Sequence, residues 1–133
     1  MRAYERSKLA NLLFTYELHR RVTQADLDTL SLAVHPGVAA TNVGRRLEEK
    51  WYGPLLSSIH RLIAQSATMG ALPTLRAATD LRVTSGEYCG PDGFRQMRGY
   101  PVRVESSPAS HDPDTARRLW LVSEELTGVR FPI

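Results

Sequence analysis

The chain has one cysteine, Cys89, among its 133 residues, so no disulfide can close within it. A reducing compartment, the cytoplasm, is the expected setting. No apolar run approaches the roughly 20 residues that a membrane span needs. The opening residues lack the charged region, apolar stretch and small-residue cleavage site of a secretory leader. Charge of one sign is also scarce: 17 Lys and Arg against 14 Asp and Glu leave a net charge of +3. The arginine pairs Arg20–Arg21, Arg45–Arg46 and Arg117–Arg118 are scattered among acids and apolar residues. A nucleic-acid binder gathers its charge on one face, so no nucleic-acid partner is expected. The histidines His19, His35, His60 and His111 have no second ligand at metal spacing, and Cys89 has no partner, so no metal is expected. No Gly-x-Ser-x-Gly elbow marks a hydrolase. No Gly-x-Gly-x-x-Gly loop cradles a dinucleotide. Internal repeats and low-complexity tracts are absent too.

What is present reads as α/β. Residues 4–23 carry Leu9, Leu12, Leu13 and Tyr16 at i, i+3, i+4, i+7 spacing, one apolar stripe of a helix. Tyr4, Lys8, Asn11 and Thr15 form a second, polar stripe, and Glu17, Arg20 and Arg21 are its expected free surface. Residues 30–34 (Leu-Ser-Leu-Ala-Val) read as a buried strand with Leu30, Leu32 and Val34 on one face, stopped by Pro36 and Gly37. Short helices are expected over 43–51 and 55–63, and another over 66–79, where Pro73 should kink or start it. Residues 86–89 read as a second strand, closed by a turn over 90–93. Asp112 and Pro113 cap a last helix through Trp120, and Gly128 ends it. Trp120 and Cys89 are expected to be core residues, and His35 a hydrogen-bonding strand-end residue. Helix and strand alternate. Two strands are too few for a sheet covered on both faces, so the chain reads as part of a larger α/β domain.

Tyr4 and Lys8 are the chemistry-bearing pair. Four residues apart on a helix, they share one face a turn apart. A phenol exchanges protons poorly at neutral pH, because its ordinary pKa is about 10. A neighbouring ammonium favours the phenolate and makes a tyrosine usable in acid–base chemistry.

The string around Tyr4, Ser7, Lys8 and Asn11, then the strand over 30–34, then Pro36-Gly37-x-x-x-Thr41, resembles the second half of a short-chain dehydrogenase/reductase in order and spacing. The stretch from Gly86 to Phe94 and the late run through Arg117, Trp120, Ser123 and Gly128 are similar to the retinol-dehydrogenase-like and WW-domain-oxidoreductase-like subgroup. The resemblance covers nearly the whole chain. It implies a C-terminal part of a Rossmann-like doubly wound parallel sheet that lacks the glycine-rich N-terminal half. Residues 1–23 would be the catalytic helix, 29–42 the strand and nicotinamide-side loop, 43–80 the substrate-lid helices, and 86–133 the last strand and C-terminal helix.

The same resemblance implies an oxidoreductase interconverting an alcohol and a ketone or aldehyde, on an apolar substrate, with NAD or NADP. Tyr4 would be the catalytic acid and base. Lys8 would favour the phenolate and bond the nicotinamide ribose. Pro36, Gly37 and Val38 would line the nicotinamide with backbone groups facing its carboxamide, and Thr41 would cap that loop. Trp51, at a helical position, is expected to pack; because the family's region over 41–63 covers substrate, contact of Trp51 or Tyr52 with substrate is the alternative. The family's dinucleotide loop, catalytic serine and relay asparagine are absent, so a truncated enzyme is expected. Against it stand a catalytically inactive remnant and a helix-mediated homo-oligomerisation module.

Overall fold

The computed structural model describes residues 3–38 and 65–132. The helices expected over 43–51 and 55–63, and the residues Thr41, Trp51 and Tyr52, lie outside the described residues. In chain order the described elements are α1 (Ala3–Gln24), β1 (Ala33–Val34), α2 (Ala67–Thr79), β2 (Tyr88–Pro91), β3 (Pro101–Arg103) and α3 (Pro113–Thr127). Single 3-10 turns occupy Phe94–Gln96 and Pro108–His111. The α/β class expected from the sequence holds.

The strands form one sheet in the order β1-β2-β3. The N–H of Ala33 donates to Glu87 O and that of His35 to Cys89 O. Both strands advance two residues together, so this pair is parallel. β3 returns antiparallel on β2, with Cys89 opposite Arg103, Gly90 opposite Val102 and Pro91 opposite Pro101. The second strand therefore takes in Gly90 and Pro91, which the sequence places in the closing turn. The turn follows instead at Asp92 and Gly93, whose N–H groups donate to Tyr100 O and Arg98 O. The facing prolines have no N–H to offer a ladder and sit at the end of this one.

The described residues fall into two compact units. Those within Met1–Ala33, Thr84–Tyr88 and Glu105–Ile133 form one, and those within Val34–Val83 and Cys89–Val104 the other.

In the first unit α1 packs against α3 and the turn before it. Leu13, Tyr16 and Val22 are buried on α1, and Ala116 and Trp120 on α3. The Trp120 ring stacks on Phe14 at 5.1 Å, meets Phe131 edge-on at 6.0 Å, and lies 4.4 Å from the Arg21 guanidinium. An aromatic side chain buried this fully contributes about 1.5–3 kcal/mol. α3 begins where the sequence says: Asp112 accepts from the N–H groups of Asp114 and Thr115, Pro113 follows, and Gly128 closes the helix at φ 69°. The end of α1 is less conventional. Asp26 takes the left-handed conformation (φ 51°), while Leu27 N donates to Val22 O and Asp26 N to Thr23 O. That bonding is a Schellman stop, with aspartate where glycine is commoner.

Two expectations in this unit are corrected. Glu17, read as free surface, is 5% exposed. Its carboxylate accepts from Arg20 Nη2 at 2.7 Å and Arg21 Nε at 2.9 Å. Burial works to raise its pKa, but the bonds and charges of Arg20 and Arg21 outweigh that and hold the carboxyl below its ordinary range. The strand expected over 30–34 is regular only at Ala33–Val34. Leu30 is 55% exposed whereas Ser31 is buried. Ser31 N donates to Ser85 Oγ (3.0 Å) and Ser31 Oγ to Thr15 O (2.8 Å). A side chain has captured the donor that a neighbouring strand would use.

In the second unit α2 packs on β3. Ser66 caps α2 by accepting from Met69 N. The helix runs through Pro73 to Thr79, although an internal proline costs about 3 kcal/mol. Its ring is fully buried, so packing offsets the lost hydrogen bond. Cys89 is the core residue expected, with no exposure, and Arg76 Nη1 donates to its sulfur at 3.2 Å.

Candidate functional site

The first turns of α1 present Tyr4 and Lys8. Helical geometry sets them one turn apart, and the Lys8 ammonium stands 5.5 Å from the centre of the Tyr4 ring. Tyr4 is 71% exposed. Ser7, between them in sequence, turns its hydroxyl back onto Tyr4 O at 2.7 Å. The pair expected from i, i+4 spacing is therefore brought together, with its phenol open to a reactant. Residues 3–8 are all exposed, so α1 is covered only beyond its first two turns.

Pro36, Gly37 and Val38 follow β1 and belong to the second unit. Gly37 has φ +64°, and a Cβ there would lie 2.4 Å from Met97 O, so only glycine fits this bend. Every N–H the bend possesses is already bonded. Gly37 N donates to His35 Nδ1 at 3.2 Å, and Val38 N donates to Met97 O at 2.7 Å. Two carbonyls are bonded as well: Gln65 Nε2 donates to Pro36 O at 2.6 Å, and Gln65 N to Val38 O at 2.8 Å. Gln65 also accepts from Gly99 N through Oε1 at 3.0 Å. Gln65 is buried. It ties the bend to the Gly99 backbone.

His35, Gln65 and Gln96 are the supporting residues that sequence reading did not assemble. His35 does end its strand in hydrogen bonds, as expected. Its ring meets Gln96 Oε1 at 3.1 Å through Nε2. The one available signal was the run His35-Pro36-Gly37 itself; the glutamine partners lie 29 and 61 residues away from the groups they bond.

Two open depressions among the described residues lie away from Tyr4 and Lys8. One of about 640 Å³ is lined by Leu121, Glu124, Glu125, Gly128 and Arg130. The other, about 340 Å³, lies over Glu17, Arg20, Arg21 and Arg117. A serine–histidine contact also arises, Ser106 Oγ to His111 Nε2 at 2.9 Å. Its hydrogens can be counted. Ser110 donates to Ser107 O, which leaves it to accept from Ser106. Ser106 has then spent its only hydrogen, and it accepts from both Tyr16 and His111. An imidazole that donates to a hydroxyl does not activate it, so this network ties α1 to the turn before α3. No group of three or more potential metal ligands occurs among the described residues, and no described helix is long and apolar enough to cross a membrane.

No family model matches the chain. It is 36% identical over 135 residues to retinol dehydrogenase 13 of Homo sapiens, covering 98% of this chain and 38% of that protein. It is 37% identical over 134 residues to the WW domain-containing oxidoreductase of Pongo abelii, covering 98% of this chain and 29% of that protein. The chain thus spans less than two fifths of the length of these relatives. Among solved structures it is similar to an uncharacterized protein from Mycobacterium Paratuberculosis, at 35% identity and a TM-score of 0.71, covering 98% of this chain and 40% of that one.

Proposed function

This chain belongs to the short-chain dehydrogenase/reductase family, and from that premise we propose that it carries the acid–base helix of an oxidoreductase interconverting an alcohol and a ketone or aldehyde. The observation that supports this most directly is the exposed Tyr4 phenol with the Lys8 ammonium beside its ring.

In the reductive direction Tyr4 Oη gives its proton to the substrate oxygen; in the oxidative direction the phenolate takes it back. Lys8 stabilises the phenolate that proton donation leaves behind. A bound NAD(P)(H) supplies or accepts the hydride. The residues present fit such a cofactor in part. Tyr4 and Lys8 offer an accessible hydroxyl and ammonium suited to a ribose and a reacting oxygen. The N–H groups of Gly37 and Val38 are already satisfied within the chain. Pro36, Gly37 and Val38 therefore offer the nicotinamide a fixed surface rather than fresh donors. Thr41 would add a hydroxyl at the same loop. An apolar alcohol or carbonyl compound is the proposed substrate class, by likeness to the retinol dehydrogenases.

Reduction of an apolar aldehyde by NADH and by NADPH, followed by nicotinamide absorbance, tests the proposal. Tyr4→Phe should lower kcat by about 10²–10⁴-fold, the usual contribution of a positioned acid–base group. Its melting temperature should not change, because the side chain is exposed. Equal turnover by Tyr4→Phe, or no nicotinamide binding by the wild-type chain, would sink it.

A further inference from the structure

We infer that His35 is a positioning residue for the bend at residues 36–38, and that it holds Gly37 only while its imidazole is neutral. The hydrogens leave one arrangement. The backbone N–H of Gly37 can only donate, so Nδ1 of His35 must be the accepting nitrogen. Oε1 of Gln96 can only accept, so Nε2 carries the ring hydrogen. Protonation puts a second hydrogen on Nδ1, facing the Gly37 N–H. The Gly37 bond is then lost while the Gln96 bond survives.

The surroundings are built to keep the ring in this place. A Cβ on Gly90 would fall 2.0 Å from His35 Nε2, so the imidazole lies directly on the β2 backbone. Gln96 reaches the ring from a turn in which both it and Arg95 have left-handed backbones, φ 57° and 51°. Residues other than glycine seldom adopt that conformation, and such strain collects where a side chain must be aimed.

Among the described residues, the charged groups on the elements around the ring include Arg95 and Arg98 of the turn, Asp92 after β2, Arg103 of β3, and Arg76 with Asp80 at the end of α2. The Asp92 carboxylate accepts the N–H of Tyr100 at 2.9 Å. Arg76 lies 3.6 Å from Asp80 and donates to Cys89 Sγ. Burial lowers the pKa of His35, and the Gln96 bond acts in the opposite sense.

That the bend held in this way lines a nicotinamide rests on the oxidoreductase reading. The measurement does not, so the two can fail separately. On the full chain, NMR would follow the His35 ring nitrogens and the exchange protection of three amides through an acid titration. These amides are Gly37, Val38 (donating to Met97 O) and His35 itself (donating to Cys89 O). Protection is taken relative to an unstructured chain at each pH. Gly37 should lose about fivefold as the ring protonates, the share of one hydrogen bond, with the other two unchanged. His35→Asn keeps an acceptor near the Nδ1 position and should abolish the pH dependence. His35→Gln keeps a donor near Nε2 and should leave Gly37 unprotected at every pH. Constant Gly37 protection through the titration, a protected Gly37 in His35→Gln, or a joint loss at all three amides would each overturn the inference.

Discussion

The opening of α1 and the bend after β1 are held in opposite ways. Tyr4 and Lys8 stand on a helix turn with little around them, their separation set by backbone geometry alone. Pro36, Gly37 and Val38 are fastened by bonds from His35, Gln65 and Met97. On the proposed reading, the groups that would meet a changing reactant are left open, whereas the surface that would line the nicotinamide is satisfied from within. Substitutions in the bend should therefore cost stability, and those at the helix start should cost chemistry.

The sharpest contrast comes from Gly37→Ala. A methyl group there meets Met97 O at 2.4 Å in a backbone conformation that suits only glycine. Denaturant unfolding should show a loss of about 2–3 kcal/mol, against no more than about 0.5 kcal/mol for exposed Tyr4→Phe. Equal losses at the two sites would break the comparison.

A middle-sized effect lies further along α1. Glu17→Gln leaves Arg20 and Arg21 without their carboxylate and should cost about 1–2 kcal/mol, less than a fully buried pair because both guanidiniums are partly exposed. The Glu17 carboxyl is held below its ordinary value of 4.5 in the folded chain. Its contribution is therefore fully present above pH 4.5 and is lost as pH falls through the folded value. Glu17→Gln should flatten that part of the acid stability curve. The depressed His35 pKa acts in the same direction: below about pH 6.5 the unfolded chain takes up a proton that the folded one resists.

The smallest effect is a gain. Asp26→Gly relieves a left-handed aspartate at the end of α1 and should stabilise by about 0.5 kcal/mol in thermal melts. A loss would mean that the aspartate side chain does more than occupy the Schellman position.

Among the described residues the helices were the most legible. The Asp112–Pro113 start and Gly128 stop of α3 are local chemistry, and the structure places both where the sequence does. The Tyr4–Lys8 pair was legible for the same reason, since a helix turn is a short-range fact. The strands were not. β3 has three residues, two of them exposed, which is too little alternation to read. The short reach of β1 depends on Ser85 capturing Ser31 N from 54 residues away. Glu17 looked solvated because an acid followed by two arginines on a helix usually is. The bend was visible as Pro36-Gly37, but the glutamines that hold it were not, since nothing local says that Gln65 and Gln96 should bond there.

Cys89 gives the second unit a built-in reporter. Its sulfur has no exposure and lies beneath the Arg76 guanidinium, so a thiol reagent in solution can reach it only when that part of the molecule comes apart. Because it is the only thiol in the chain, the rate of chemical trapping counts those openings, with no engineered label and no signal from any other position.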